Sequence, residues 1–236
     1  MPSFFLIILG FVPSLVWLLY YLKKDLHPEP KSLIARTMFL GILAAPLAVG
    51  AELVFDKFLR TRSFFDPNVS SIYFFLAAAF IEEYVKYLVI KFAILHNVNF
   101  DEPTDAMIYM ISAALGFAAI ENIFYLFSAL DNGTAALIQT WFLRFAGATL
   151  LHAVSSALFG YFIGLSWFFW RHSKKLVGLG LACATLAHLV FNLSLSLGGT
   201  GKASLIYSSS ALIILVILIS YLFNRIKKRI VYSQFA

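Results

Sequence analysis

Glu82, Glu83 and Lys86 fall inside an otherwise apolar run, residues 72–95, which at about 1.5 Å of helical rise per residue is long enough to cross a bilayer. An ionised group at the bilayer centre costs ~2.5 kcal/mol or more, so a chain that needed only an anchor would not carry three. Glu82 and Lys86 are four residues apart and Glu83 and Lys86 three, so a helix lets both carboxylates reach the ammonium along one face. Three more apolar runs hold polar groups in their interiors: Glu121-Asn122, His152 with Ser155 and Ser156, and His188 with Asn192. His152 and Ser156 share a helix face, as do His188 and Asn192. Glu121 and Asn122 point about 100° apart, so one of the two suffices to face a shared site.

The chemistry this inventory permits is narrow. A carboxylate can take a proton from water, and a His or Asn can polarise a carbonyl or hold an oxyanion. Two His and a Glu also make a catalytic zinc inventory, with His152, His188 and Glu121 as the candidate ligands, although His-Glu-x-x-His is absent. Neither a Ser-His-Asp arrangement nor a pair of intramembrane Asp residues is present. A self-neutralised ion pair locking two helices is the structural alternative, and a proton- or ion-coupled transporter is the rival functional class. Ionisable residues within spans are functional candidates by default.

The elements that must position these groups are membrane helices. The 236 residues are 61% hydrophobic and 13% charged, with mean hydropathy +0.86. Soluble domains run nearer a quarter charged, so the chain reads as a single all-α polytopic membrane domain over residues 1–236. Seven spans are expected, at residues 4–22, 33–54, 72–95, 105–127, 141–170, 176–197 and 205–223. The fifth is too long for one perpendicular crossing and must tilt, bend or protrude. No basic residue precedes the first span and Lys23 and Lys24 follow it, so it is expected to be retained rather than cleaved. Twelve of the 18 basic residues fall on one side, while Lys57, Arg60, Arg62, Arg144 and Lys202 fall on the other and Lys86 lies between. That asymmetry places the N-terminus outside and the C-terminus inside, and explains the formal charge of +6 without any nucleic-acid partner. Asp131-Asn132-Gly133 reads as a turn, Pro46 as a kink in the second span, and Thr104 or Asp105 as the cap of the fourth. Gly116, Gly147, Gly160 and Gly164 read as close-packing positions, Trp141, Trp167 and Trp170 as interfacial residues, and the lone Cys183 as packing.

Depth tests whether the polar groups can meet. Counted from the outer ends of their spans, Glu121, His188, Glu82 and His152 lie roughly 9 to 17 Å below the outer surface. Residues placed for unrelated reasons would not share a level. His27, His96 and His172 fall in loops.

Glu82-Glu83-x-x-Lys86, Phe100-Asp101-Glu102-x-x-Asp105 and Leu115-Gly116-Phe117-Ala118-x-x-Glu121-Asn122 resemble the motifs of the bacterial PrsW intramembrane proteases. His152, Gly160-Tyr161-x-x-Gly164 and His188 continue the match in order, over residues 33–197. The chain is similar, more distantly, to the type II CAAX prenyl endopeptidases, whose proposed chemistry is a glutamate-activated water. Asn192 stands where the closest PrsW pattern has Asp, and Ala106 where it has Gly. The resemblance implies site-2-like cleavage of a single-pass anti-sigma factor in a bacterial cytoplasmic membrane, as part of a stress response. On that reading Glu82 or Glu83 is the general base, Lys86 balances charge, and Glu121 orients water or a histidine. His152, His188 and Asn192 polarise the carbonyl, zinc is possible, and no cofactor is required.

Overall fold

The computed structural model describes residues 3–25, 27–61, 67–197 and 202–234, and every regular element among them is helical. In order these are α1 (Ser3–Leu22), α2 (Lys31–Thr61), α3 (Pro67–Ala93), α4 (Asp105–Leu130), α5 (Thr134–Leu143), a π turn (Arg144–Ala148), α6 (Thr149–Phe168), a short 3-10 turn (Trp170–His172), α7 (Ser173–Leu197) and α8 (Lys202–Gln234). In hydrocarbon every backbone N–H and C=O must be paired internally, so apolar runs of this length fold as helices. Among the described residues, six helical stretches are long and apolar enough to cross a membrane. The seventh expected span is α3, whose 27 residues include the buried charges of Glu82, Glu83 and Lys86.

The bundle is built around α4, which packs against α1, α2 and α6. Residues 105–119 of α4 and 149–161 of α6 are buried without interruption, because both helices are covered on every side. Close approach of α2 to α4 depends on two glycines, since a Cβ on Gly41 or Gly116 would overlap the carbonyl of Ala113 or Met38. Gly160 and Gly164 abut Ala106 and Pro103 in the same way, whereas Gly147 has a single, loose neighbour in Phe191. α3 packs against α2 and α7, and α7 against α6 and α8, so α3 and α7 flank α6.

Several helices run beyond their expected bounds. α2 continues to Thr61, which puts Lys57 and Arg60 on a helix rather than in a basic loop; Arg62 lies outside the described residues. The fifth span begins at Thr134, seven residues early, and accommodates its length with the π turn. Pro46 lies within α2. The turn at Asp131-Asn132-Gly133 is present, with Gly133 at φ +92°. The expected cap of α4 is not formed. Thr104 makes no side-chain cap bond, and the Asp105 carboxylate turns back to accept the N–H groups of Asp101 and Glu102 at 3.0 and 2.7 Å.

Candidate active site

α3 presents Glu82, Glu83 and Lys86 to α6 and α7, and all three are buried. The Lys86 ammonium lies 2.9 Å from Glu83 Oε1 and 3.4 Å from Glu82 Oε2, above the Phe117 ring of α4. It also lies 2.9 Å from Nδ1 of His152 on α6. Lysine has no acceptor, so it donates to Nδ1 and the His152 proton resides on Nε2. That nitrogen is 2.8 Å from Glu121 Oε2. Both ring nitrogens of His152 are therefore engaged.

The two neighbouring glutamates have unlike surroundings. Glu83 Oε1 accepts from Lys86 and, at 3.1 Å, from Ser155, and Oε2 accepts from Ser156 at 2.8 Å. His188 Nδ1 on α7 adds a fourth donor at 3.2 Å. Glu82 has the 3.4 Å contact from Lys86 and faces His152 Nδ1 at 3.6 Å and His188 Nε2 at 3.9 Å. Because His188 donates from Nδ1 to Glu83, its Nε2 and the Glu82 carboxylate are two acceptors face to face. Such a pair calls for a proton on Nε2 or a cation shared between them.

Glu121 is held from its other side by Arg144, whose Nη2 is 2.9 Å away while its Nε donates to Asn122 Oδ1 at 2.6 Å. Asn122 in turn donates to Thr149 Oγ1 and to the Gly10 carbonyl, so it braces α1, α4 and α6 and does not face Glu82. Asn192, one turn from His188, is half-buried and has no hydrogen bond to the cluster among the described residues. Two site residues escaped the reading of the sequence. Arg144, read as an external basic residue, is buried against Glu121 and stacks on Tyr125 at 4.2 Å. Glu52 of α2 is half-buried and lies within electrostatic reach of Glu82, Glu121 and Lys86. A carboxylate in an apolar run and a basic residue a few places from a span end were the available signals.

The donors fit a metal ion. Glu82, His152 and His188 each offer a ligand atom, all mutually within 4.8 Å. The Glu82–His152 and Glu82–His188 separations of 3.6 and 3.9 Å are somewhat longer than the roughly 3.3 Å between ligands of tetrahedral zinc, so a bound ion would draw the donors slightly inward. The grouped donors include Glu82 where the sequence offered Glu121, and Glu121 instead bonds the far nitrogen of His152.

A family model described as PrsW family intramembrane metalloprotease matches residues 29–222. The chain belongs to the PrsW family. It is 32% identical over 185 residues to Protease PrsW of Oceanobacillus iheyensis, covering 78% of this chain and 79% of that protein. It is 33% identical over 162 residues to Protease PrsW of Geobacillus kaustophilus, covering 68% and 66%, and 28% identical over 190 residues to that of Bacillus subtilis, covering 78% and 80%. No solved structure matches it significantly. Like other PrsW proteins the chain is a peptidase and a multi-pass bacterial membrane protein, and this selects peptide hydrolysis over ion-coupled transport.

Proposed function

We propose that the chain is an intramembrane endopeptidase in which Glu82 activates the attacking water. The observation that carries this is the contrast between adjacent carboxylates. Glu83 is saturated by four donors, whereas Glu82 has one long contact and faces both histidines. A general base needs a lone pair free to take a proton, and Glu82 has one. Lys86 holds Glu83 in place and offsets the charge on both glutamates. His188, carrying its second proton on Nε2, donates to the scissile carbonyl and then to the oxyanion. Asn192, whose amide has no hydrogen bond within the cluster, supplies a second donor one turn away. The engaged rings and carboxylates of His152, Glu121 and Arg144 position this centre rather than react.

The substrate is a membrane-embedded segment, of the single-pass anti-sigma-factor kind that the family resemblance implies. An apolar cleft of about 340 Å³ between α6, α7 and α8 includes Leu151 and Ala187, the chain neighbours of His152 and His188. Its apolar lining beside these two positions supports docking of such a segment on this side of the bundle. The uneven distribution of basic residues supports an outside N-terminus and an inside C-terminus.

A second reading is favoured by the fitting trio and by the family's description. Glu82, His152 and His188 would hold a metal ion, which when bound supplies a Lewis acid and an acidified water. Lys86 would then give up its contact with His152 Nδ1 and keep its bond to Glu83.

The experiment is cleavage of a single-span test substrate in proteoliposomes, with metal content measured on the same preparation. Glu82→Gln abolishes cleavage on either reading, and full activity in that variant overturns both. Activity that resists chelation in metal-free protein supports the glutamate-base mechanism. Stoichiometric metal lost together with activity in His188→Ala replaces it with the metal reading.

A further inference from the structure

The linker between α1 and α2 and the loop preceding α4 meet at one end of the bundle, about 24 Å along α4 from Glu121 at the helical rise. Five carboxylates gather there: Asp25 and Glu29 from the linker, Asp101 and Glu102 from the loop, and Asp105 from the first turn of α4. Their oxygens form two groups that share Asp105. One is Asp25, Glu102 and Asp105, the other Glu29, Asp101 and Asp105, and within each the ligand atoms lie within 4.8 Å of one another. Two oxygens on opposite sides of one calcium ion stand about 4.8 Å apart, so either group is within the span of a single cation.

Acidic clusters are common on protein surfaces, but Asp105 is not at the surface. It is 1% exposed, and its Oδ1 has no hydrogen-bond partner among the described residues. The carboxylate also forgoes the helix N–H groups beside it and turns toward the loop, where Oδ2 meets the N–H groups of Asp101 and Glu102. Asp105 faces the half-buried Glu29 carboxyl, and two such carboxylates side by side call for a shared proton or a cation between them. The surrounding polar groups are committed to other members of the cluster. Tyr109 donates to Glu29, Thr104 to Glu102, and His27 pairs with Glu102. Lys227 on α8 and Lys24 are the basic groups that act on the Asp25 and Glu102 side of the cluster.

We propose that Asp105 anchors a second cation site, in which a hard divalent ion of the Mg²⁺, Ca²⁺ or Mn²⁺ type ties the α1–α2 linker to the N-terminus of α4. Each possible ligand group draws on both segments, so the ion joins them whichever group completes its shell. The donor chemistry separates it from the catalytic centre. Carboxylate oxygens suit hard cations, while the two imidazoles beside Glu82 suit a softer one. Since α4 carries Glu121 and Asn122 at its other end, the ion fixes the axial placement of the helix behind the site.

Terbium luminescence on the detergent-purified full chain tests this, because the Tyr109 ring beside Glu29 can sensitise a lanthanide held there. Wild type shows saturable emission that Ca²⁺ or Mn²⁺ displaces. Affinity falls at least tenfold in Asp105→Asn, and it is unchanged in His152→Ala/His188→Ala. Should Asp105→Asn fail to accumulate, Asp25→Asn/Glu29→Gln removes both linker ligands while leaving α4 intact, and it too weakens binding at least tenfold. Absence of saturable emission in wild type, wild-type affinity in the carboxylate variants, or loss of emission in the histidine variant overturns the proposal.

Discussion

Arg144→Met tests the reasoning about the site most directly, because nothing but the three-dimensional arrangement identifies this residue as part of it. The substitution keeps an unbranched side chain of similar length and removes the 2.9 Å bond to Glu121 and the 2.6 Å bond to Asn122. Removing one partner of a buried ion pair costs about 3–5 kcal/mol. The side chains here are 11% and 17% exposed, and His152 still bonds Glu121, so the lower end of that range applies. At about 2–4 °C per kcal/mol for a chain of this size, the midpoint of unfolding falls by roughly 6–12 °C. Glu121→Gln costs about 2 kcal/mol alone, being a neutral isostere that strands the guanidinium. The double variant loses clearly less than the two combined, since each single change leaves a buried charge and the pair leaves none. A coupling energy of about 1.5–3 kcal/mol is expected, at the upper end of values for contacting residues. The assay is thermal unfolding of the four proteins in detergent, alongside cleavage rates on the test substrate. Additivity within about 0.5 kcal/mol would refute the pairing of Arg144 with Glu121.

Two further predictions concern the glutamate pair and the topology. Glu83→Gln turns an amide toward Ser155, Ser156 and Lys86, so it lowers stability by about 3 kcal/mol or more; Glu82→Gln, losing one 3.4 Å contact, changes it by less than about 1 kcal/mol. The thermal midpoints of the two variants check this ranking, and the reverse order would move the base assignment to Glu83. Reporter fusions after Leu197 are external and fusions after Tyr232 cytoplasmic, as activity of paired periplasmic and cytosolic reporters will show; two fusions on the same side refute the proposed orientation.

Much of the site was legible because charge in hydrocarbon is conspicuous. Glu82, Glu83, Lys86, Glu121, His152 and His188 all stood out against apolar surroundings, and helical spacing placed Lys86 within reach of both glutamates. What distinguishes Glu82 from Glu83 was not legible, because it resides on another helix: Ser155 and Ser156 of α6 and His188 of α7 choose Glu83. Glu52 was passed over because its span was ended at residue 54, whereas α2 runs on to Thr61 and carries that carboxylate inward. Arg144 was misassigned for the mirror reason, since its helix begins ten residues before it rather than three. Asp105 suits a cap by residue type and position, yet its carboxylate follows the loop, a choice that depends on where the α1–α2 linker lies.

The π turn at Arg144–Ala148 also sets the angular phase of the helix that contains it. Arg144 and His152 both bond the same oxygen of Glu121 although eight residues separate them. Eight α-helical steps of about 100° would leave those side chains about 80° out of phase. A π turn absorbs one surplus residue, so the interval behaves as seven steps and the mismatch closes to about 20°. The turn thus works as a phase corrector, letting one oxygen of α4 clasp two widely spaced positions on a single neighbour. A straight α-helix of the same sequence could carry the guanidinium or the imidazole to Glu121, but not both.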